Sequence, residues 1–91
     1  MPYIKKEDRP IIKNIVEELS NVLKTEGEYN YAITLLLHNY IKQKGKNYTN
    51  MNNATGIIEC VKKEFYRVVV APYEDEKRIL NGSVSEIDGD Y

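Results

Sequence analysis

The chain has 91 residues, with 13 basic and 14 acidic side chains and one cysteine. This length suits a single domain close to the lower limit for burying its own core, which favours self-association. The formal net charge of −1 gives no overall attraction to nucleic acid or anionic lipid, and the single Cys60 excludes an internal disulfide and multi-cysteine zinc sites.

The apolar segments of the chain are short. No run approaches the ~20 apolar residues that span a bilayer, and the start Met-Pro-Tyr-Ile-Lys-Lys does not resemble a signal peptide. We therefore expect a cytoplasmic protein with no membrane partner. The basic residues alternate with acidic ones instead of forming a stripe, which disfavours binding to duplex nucleic acid.

The first predicted helix follows an extended lead-in. Asp8 is a suitable N-cap, and Pro10 suits the first turn, where its missing N–H costs nothing. Apolar residues then recur at three- and four-residue spacing and form one stripe, which consists of Ile12, Ile15, Val16, Leu19, Val22 and Leu23. We expect this amphipathic helix to end near residues 25–27.

The second predicted helix begins between Glu28 and Tyr31 and ends before Gly45, which suits a helix stop. Its main apolar stripe is formed by Ile33, Leu36, Leu37, Tyr40 and Ile41. Leu35 broadens the apolar surface beyond one face, so a second side also needs cover. Two sources of that cover remain equally open: another subunit, or the N-terminal segment or short last helix of the same chain.

The third predicted helix follows a polar, asparagine-rich stretch. Residues 46–53 predict a loop, after which Asn50 or Asn53 caps a helix. Its apolar positions are Ala54, Ile58, Val61, Phe65 and Val68. Pro72 disfavours helical geometry at Ala71, so we expect the helix to stop or kink there.

The three consecutive valines before this proline give a mixed signal. The run Val68–Val70 by itself favours a short strand, whereas the long pattern before it favours a helix, which we prefer. A further short helix is predicted from Tyr73 or Glu74 to Leu80, closed by Gly82. Residues 83–91 form an acidic tail that we expect to be partly mobile.

These elements predict an all-α single domain over residues 1–82, with three main helices and a short C-terminal one. Because one helix is apolar on more than one side in so small a domain, we expect a homo-oligomer.

No residue pattern indicates a reaction. The chain lacks a glycine-rich phosphate loop, a Gly-x-Ser-x-Gly motif and a His-Glu-x-x-His motif. His38 is the only histidine, and we interpret it as a surface or interface residue. Cys60 has no net positive charge around it in sequence, so we interpret it as a half-buried structural thiol. We expect no catalytic residue, no metal and no cofactor.

Polar and aromatic residues are concentrated around Pro72. We call this set the elbow cluster; it consists of Tyr66, Arg67, Tyr73, Glu74, Asp75, Lys77 and Asn81. A guanidinium group between aromatic rings binds phosphate or carboxylate and stacks on bases. The alternative is a solvated turn closed by local salt bridges.

Three segments resemble a family of short phage and prophage proteins of unknown function. They are Met-Pro-Tyr-Ile at the start, Gly27 to Thr34, and Glu59 to Val84. The resemblance implies a self-contained protein and a signature formed by Asn30, Tyr31, Thr34, Glu64, Tyr66, Arg67, Pro72, Tyr73, Glu74, Asp75, Lys77, Asn81 and Gly82. It adds Asn30 and Thr34 to the elbow cluster as ligand-binding candidates. It also implies that Val68 stands where a second arginine often follows the first, which weakens anion binding here.

The leading hypothesis is a non-catalytic binding protein that takes a small anionic or nucleotide-like ligand near Pro72, such as a host signalling nucleotide. The site is completed by a second subunit in one version of this hypothesis. The alternative is a protein-interaction module that docks a host or phage protein through its apolar surface and acidic tail. A small enzyme is the least favoured of the three classes.

Overall fold

The computed structural model describes residues 1–89, and all regular secondary structure in them is helical. The helices are α1 (Pro10–Val22), α2 (Glu26–Lys44), α3 (Tyr48–Phe65), a π-helical segment (Tyr66–Val70) and α4 (Ala71–Asn81). Two short 3₁₀ turns flank them, at Lys6–Asp8 and Glu86–Asp88. The predicted all-α class is therefore confirmed. Asp90 and Tyr91 of the predicted tail lie outside the described residues.

Helix α1 begins with Pro10 in its first turn, as predicted. The prediction of Asp8 as its N-cap is wrong, because Asp8 ends the preceding 3₁₀ turn and Arg9 takes the cap position without a side-chain hydrogen bond. The helix ends at Val22, earlier than predicted. Leu23 has extended backbone angles (φ −75°, ψ 125°), so the last residue of the apolar stripe lies beyond the helix.

A capping box starts α2 at Glu26, two residues before the earliest predicted start. The Thr25 hydroxyl accepts a hydrogen bond from the Glu28 N–H at 3.1 Å. The Glu28 carboxylate in turn accepts from the N–H groups of Lys24 and Thr25 at 2.6 and 3.0 Å. These bonds satisfy N–H groups that lack partners at a helix start and fix the short connection from α1.

Helix α3 begins at Tyr48, so the predicted loop over residues 46–53 is wrong. The N-cap is Asn47, not Asn50 or Asn53, and its side chain accepts from the Asn50 N–H at 2.9 Å. Asn50 also donates from its amide group to the carbonyls of Lys44 and Gly45, both at 3.0 Å. The asparagines therefore close α2 and open α3 instead of forming a loop, since Gly45 turns the chain with a φ of 114°.

Pro72 does not interrupt the helical path. Residues 66–70 form a π-helical segment in which the Ala71 N–H donates to the carbonyl of Tyr66, five residues earlier. Proline has no N–H and its ring clashes with the carbonyl four residues before it in an α-helix, and one wider turn relieves both problems. The helix continues through the proline as α4, and Val68–Val70 are helical. Gly82, with a φ of 91°, ends α4 as predicted.

The helices enclose very little. Helix α2 packs against α3, and the π-helical segment joins α3 to α4. Ala54 is the one buried hydrophobic residue in the described chain. The chain exposes 8179 Å², whereas a compact monomer of 10.6 kDa exposes about 5,500 Å². Its radius of gyration is 17.8 Å, compared with about 12 Å for a compact domain of this length.

Two apolar surfaces account for much of this exposure. We call the first the α1 stripe, whose members Ile12, Ile15, Val16 and Leu19 are 53, 61, 50 and 37% exposed. We call the second the α3 face, whose members Val61, Phe65, Val68 and Val69 are 50, 58, 48 and 53% exposed. The N-terminal segment reaches the α3 face through Pro2 and Tyr3 but leaves it half-exposed. Helix α4 does not pack against α2. Leu35, on the second apolar side of α2, lines a groove with Leu19 and Leu23 and is 38% exposed.

Candidate functional site

The elbow cluster lies along one continuous helical path formed by the π-helical segment and α4. Tyr66 and Arg67 lie in the π-helical segment, and the remaining members lie on α4. The two tyrosine rings are accessible, with Tyr66 56% and Tyr73 54% exposed. The Lys77 ammonium group lies 5.5 Å from the centroid of the Tyr73 ring, a cation–π arrangement. Two aromatic rings and two cations therefore face solvent along this path.

Arg67 is already engaged on one side. Its Nη2 donates to Glu64 Oε1 at 2.7 Å, and the Tyr3 hydroxyl donates to the same carboxylate oxygen. We call this trio the N-terminal clasp, because it ties the start of the chain to the junction of α3 and the π-helical segment. Arg67 remains 69% exposed, and the bond uses one of its five N–H donors.

The clasp shifts the ionisation of all three groups. Hydrogen bonds from Tyr3, and then from Arg67, lower the pKa of Glu64. The pKa of Tyr3 is raised, chiefly because its hydroxyl donates to the Glu64 carboxylate. The same carboxylate raises the pKa of Arg67. The clasp therefore favours an ionised Glu64, a neutral Tyr3 and a charged Arg67.

The two predicted ligand residues on α2 lie apart from the elbow cluster. Thr34 Oγ1 and Asn30 Oδ1 are 3.4 Å apart, one helical turn from each other. Helix α2 packs against α3 and not against the π-helical segment or α4. A single chain therefore pairs Asn30 with Thr34 but does not bring them to Arg67.

The acidic members of the cluster follow the proline. Glu74 lies in the first turn of α4, two residues after the proline. Asp75 follows it, and Asn81 is the last residue of the helix before Gly82. All three side chains are exposed, so the path carries two carboxylates as well as the cations of Arg67 and Lys77.

The largest groove lies elsewhere, between the end of α2 and the start of α3. It has a volume of about 570 Å³ and is lined by Leu37, His38, Ile41, Lys42, Lys46, Met51, Ala54 and Thr55. Sequence reasoning did not predict it, because the asparagine-rich corner that forms one end was interpreted as a loop. Its lining is mostly apolar and includes two basic residues, Lys42 and Lys46.

The two chemically reactive residue types are both accessible. His38 lies at this groove and is exposed, and Cys60 is exposed instead of half-buried as expected. Within residues 1–89, no group of histidine, cysteine and acidic side chains has the arrangement to hold a metal ion. None of the helices in the same range has the length and apolar content that crossing a membrane requires.

The tail folds back onto the end of α4. The Ser85 hydroxyl accepts from the Ile87 N–H at 3.2 Å, and the Asp88 carboxylate accepts from the N–H groups of Val84 and Ser85 at 3.1 and 2.9 Å. These backbone bonds lower the pKa of Asp88. Arg78 Nη1 donates to the Asp88 carbonyl at 3.2 Å. This turn leaves Val84 and Ile87 as apolar side chains that are 95 and 92% exposed.

Comparison with known proteins places the chain in a family without an assigned activity. None of the curated proteins and none of the solved structures compared with the chain matches it. The model of one protein family matches residues 1–84, which include every member of the elbow cluster, the N-terminal clasp and all four α-helices. The chain therefore belongs to the family described as a domain of unknown function, DUF6899.

Proposed function

We propose that this chain is a non-catalytic binding protein whose working form is a homo-oligomer. The observation that carries the proposal is the α1 stripe: Ile12, Ile15 and Val16 are half or more exposed, although Leu19 near the end of the same helix lines a groove with α2. An amphipathic helix in water gains most of its stability from burying its apolar side. A partner surface provides that burial, and a second copy is always available at the same concentration.

The ligand of this oligomer is a small anionic or nucleotide-like molecule bound at the elbow cluster. Support comes from Arg67, which keeps donors on its exposed side, and from the exposed rings of Tyr66 and Tyr73. Guanidinium groups bind phosphate oxygens through paired N–H donors, and aromatic rings stack on bases. A second subunit supplies Asn30 and Thr34, which one chain does not bring to Arg67.

The biological setting belongs to the same proposal. The resemblance to small phage and prophage proteins supports a role inside a bacterial host, in the cytoplasm. Sequestration of a host signalling nucleotide needs tight binding and no turnover, which agrees with a site of donors, rings and carboxylates at Arg67, Tyr73 and Glu74.

The test is native mass spectrometry of protein purified gently from cells, followed by the same spectrum under denaturing conditions. We expect a discrete multiple of 10.6 kDa with additional mass that is lost on denaturation. Arg67→Ala should remove the additional mass and leave the oligomer. Lys63→Ala is the matched control, because Lys63 lies four residues before Arg67 and its replacement also removes one positive charge. Lys63 forms an exposed ion pair with Glu59 at 4.0 Å.

Two results overturn parts of this proposal separately. A chain that stays at the monomer mass with full helical content contradicts the oligomer. An oligomer whose additional mass is unchanged in Arg67→Ala contradicts the ligand site at the elbow cluster.

A second candidate function rests on the tail. Val84 and Ile87 are almost fully exposed beside Glu86, a pattern suited to docking a host or phage protein. Under this alternative, no small ligand is found, and deleting the residues after Gly82 weakens recovery of the partner in pull-down experiments.

A further inference from the structure

The chain carries two separate apolar surfaces of similar size, the α1 stripe and the α3 face. The stripe extends over eight residues, from Ile12 to Leu19, and the face over nine, from Val61 to Val69. At 1.5 Å per residue both are about 10–12 Å long. Each has four apolar members, and most of these are close to half-exposed. The two surfaces are therefore of comparable length, although the apolar side of α1 continues beyond Leu19 to Val22, which is 68% exposed.

The two surfaces do not meet within one chain. Helix α1 contacts the 3₁₀ turn that precedes it, and its Leu19 lines a groove with Leu35 and Leu36 of α2, whereas α3 packs against α2 and the π-helical segment. The surface that fits α1 must therefore come from another molecule.

We propose that the α1 stripe of one copy packs on the α3 face of a second copy, and that the reciprocal contact closes a two-fold dimer. This inference rests on the proposed homo-oligomer and names its interface. In a two-fold dimer, residue i contacts residue j of the partner and j contacts i, so two different surfaces are both covered by one arrangement. Neither surface then remains exposed to bind a third copy.

The exposed area agrees with a dimer of this kind. The chain exposes about 2,700 Å² more than a compact monomer of its mass. The eight named side chains of the two surfaces are each about half exposed, so covering roughly 100 Å² of each on both copies buries about 1,600 Å² in total, the standard size of a specific, stable interface. Specific, stable complexes bury about 1,200–2,000 Å², so an interface of that size covers part of the excess exposed area.

Charges at the edges of the two surfaces are complementary. Glu18 lies on α1 next to the stripe, three residues from Ile15, and is exposed. Lys62 lies on α3 next to the face, three residues from Phe65, and is also exposed. Opposite charges at an interface edge contribute more to specificity and orientation than to affinity.

Disulfide trapping between two single-cysteine variants of the chain tests the interface. Two variants are prepared in a Cys60→Ser background, which removes the exposed native thiol. One carries Ile15→Cys and the other Val61→Cys. They are mixed under reducing conditions, allowed to exchange subunits, and oxidised. We expect a covalent dimer in the mixture and little in either variant alone, at least about tenfold less. Asn14→Cys replaces Ile15→Cys as the matched control on the far side of α1, and we expect no trapping with it.

Each other outcome is decisive. A covalent dimer from Ile15→Cys alone shows α1 against α1 and overturns the proposed interface while keeping the oligomer. If no sample forms a covalent dimer but the protein without introduced cysteines is a dimer by sedimentation, the proposed interface is also overturned and the oligomer is kept. A monomer by sedimentation removes the proposed oligomer itself.

Discussion

Truncation of one side chain on the α1 stripe tests whether the stripe is buried in the working form. Ile15 is 61% exposed in the single chain. Complete burial of an isoleucine side chain contributes about 1.5–3 kcal/mol, so covering the remaining exposed part contributes about 1–2 kcal/mol. Ile15→Ala removes about three-quarters of that contribution, and a two-fold dimer loses it twice. The expected loss is about 1.4–2.7 kcal/mol per dimer.

This loss corresponds to a dimer dissociation constant that is raised about 10- to 100-fold. Sedimentation equilibrium over a dilution series measures it, with detection by tyrosine absorbance. Asn14→Ala is the control, because it lies on the opposite side of the same helix and also introduces alanine, which has the highest helix propensity. An Ile15→Ala protein with an unchanged dissociation constant, at unchanged helical content, refutes burial of the stripe by a second copy.

Three further predictions concern single features of the fold. Asn47→Ala removes the cap of α3 and should lower the free energy of unfolding by about 1 kcal/mol, as measured by urea denaturation; an unchanged midpoint contradicts the cap. The clasp should stabilise the fold only within a range of pH. The pKa of Glu64 is lowered in the fold, so its contribution to stability is present above the unfolded pKa of about 4.3 and is lost as pH falls through the folded pKa. The pKa of Tyr3 is raised, so its contribution to stability is present below about 10 and is lost as pH rises through the folded pKa. The protection factors of the amide hydrogens in residues 1–8, which compare the observed exchange rate with the intrinsic rate at each pH, should therefore be highest between these limits, and Tyr3→Phe should remove the difference. Protection factors that are flat across pH in the native protein count against the clasp. Pro72→Ala restores an N–H donor and should convert the π-helical hydrogen bonds, which span five residues, into α-helical ones, which span four. Scalar couplings across hydrogen bonds detect this change of partner. An Ala71 N–H that is still bonded to the Tyr66 carbonyl argues against the proline as the cause of the π-helical segment.

The helices could be predicted from sequence because their signals are local. Apolar spacing on α1, Pro10 in the first turn, and Gly45 and Gly82 after the last turns each depend on residues within one helical turn. Gly45 and Gly82 have positive φ angles, which explains why glycine stands at both stops.

The corner between α2 and α3 could not be predicted, since asparagine is frequent both in loops and at helix starts. The choice depends on where Asn50 finds acceptors, and these are the Lys44 and Gly45 carbonyls at the end of the preceding helix. The outcome at Pro72 was missed for a related reason. Sequence shows that the proline disfavours an α-helix, but the bond from Ala71 to the Tyr66 carbonyl is an alternative that only the backbone shows.

The site was predictable only in part. The elbow cluster is contiguous in sequence, so its position on one helical path follows from local structure. The clasp joins Tyr3 to Glu64 across 61 residues, and no local pattern indicates such a contact. Whether Asn30 and Thr34 belong to the same site depends on how two chains assemble, which the sequence of one chain does not encode in any short motif.

Thermal unfolding at two protein concentrations tests the central claim, that the fold is completed by a second copy, most directly. Far-ultraviolet circular dichroism follows helix loss at concentrations about 100-fold apart. If folding and association are coupled, the midpoint rises with protein concentration, because mass action favours the folded oligomer. A midpoint that is the same at both concentrations contradicts the claim and shows that the single chain is stable without its partner.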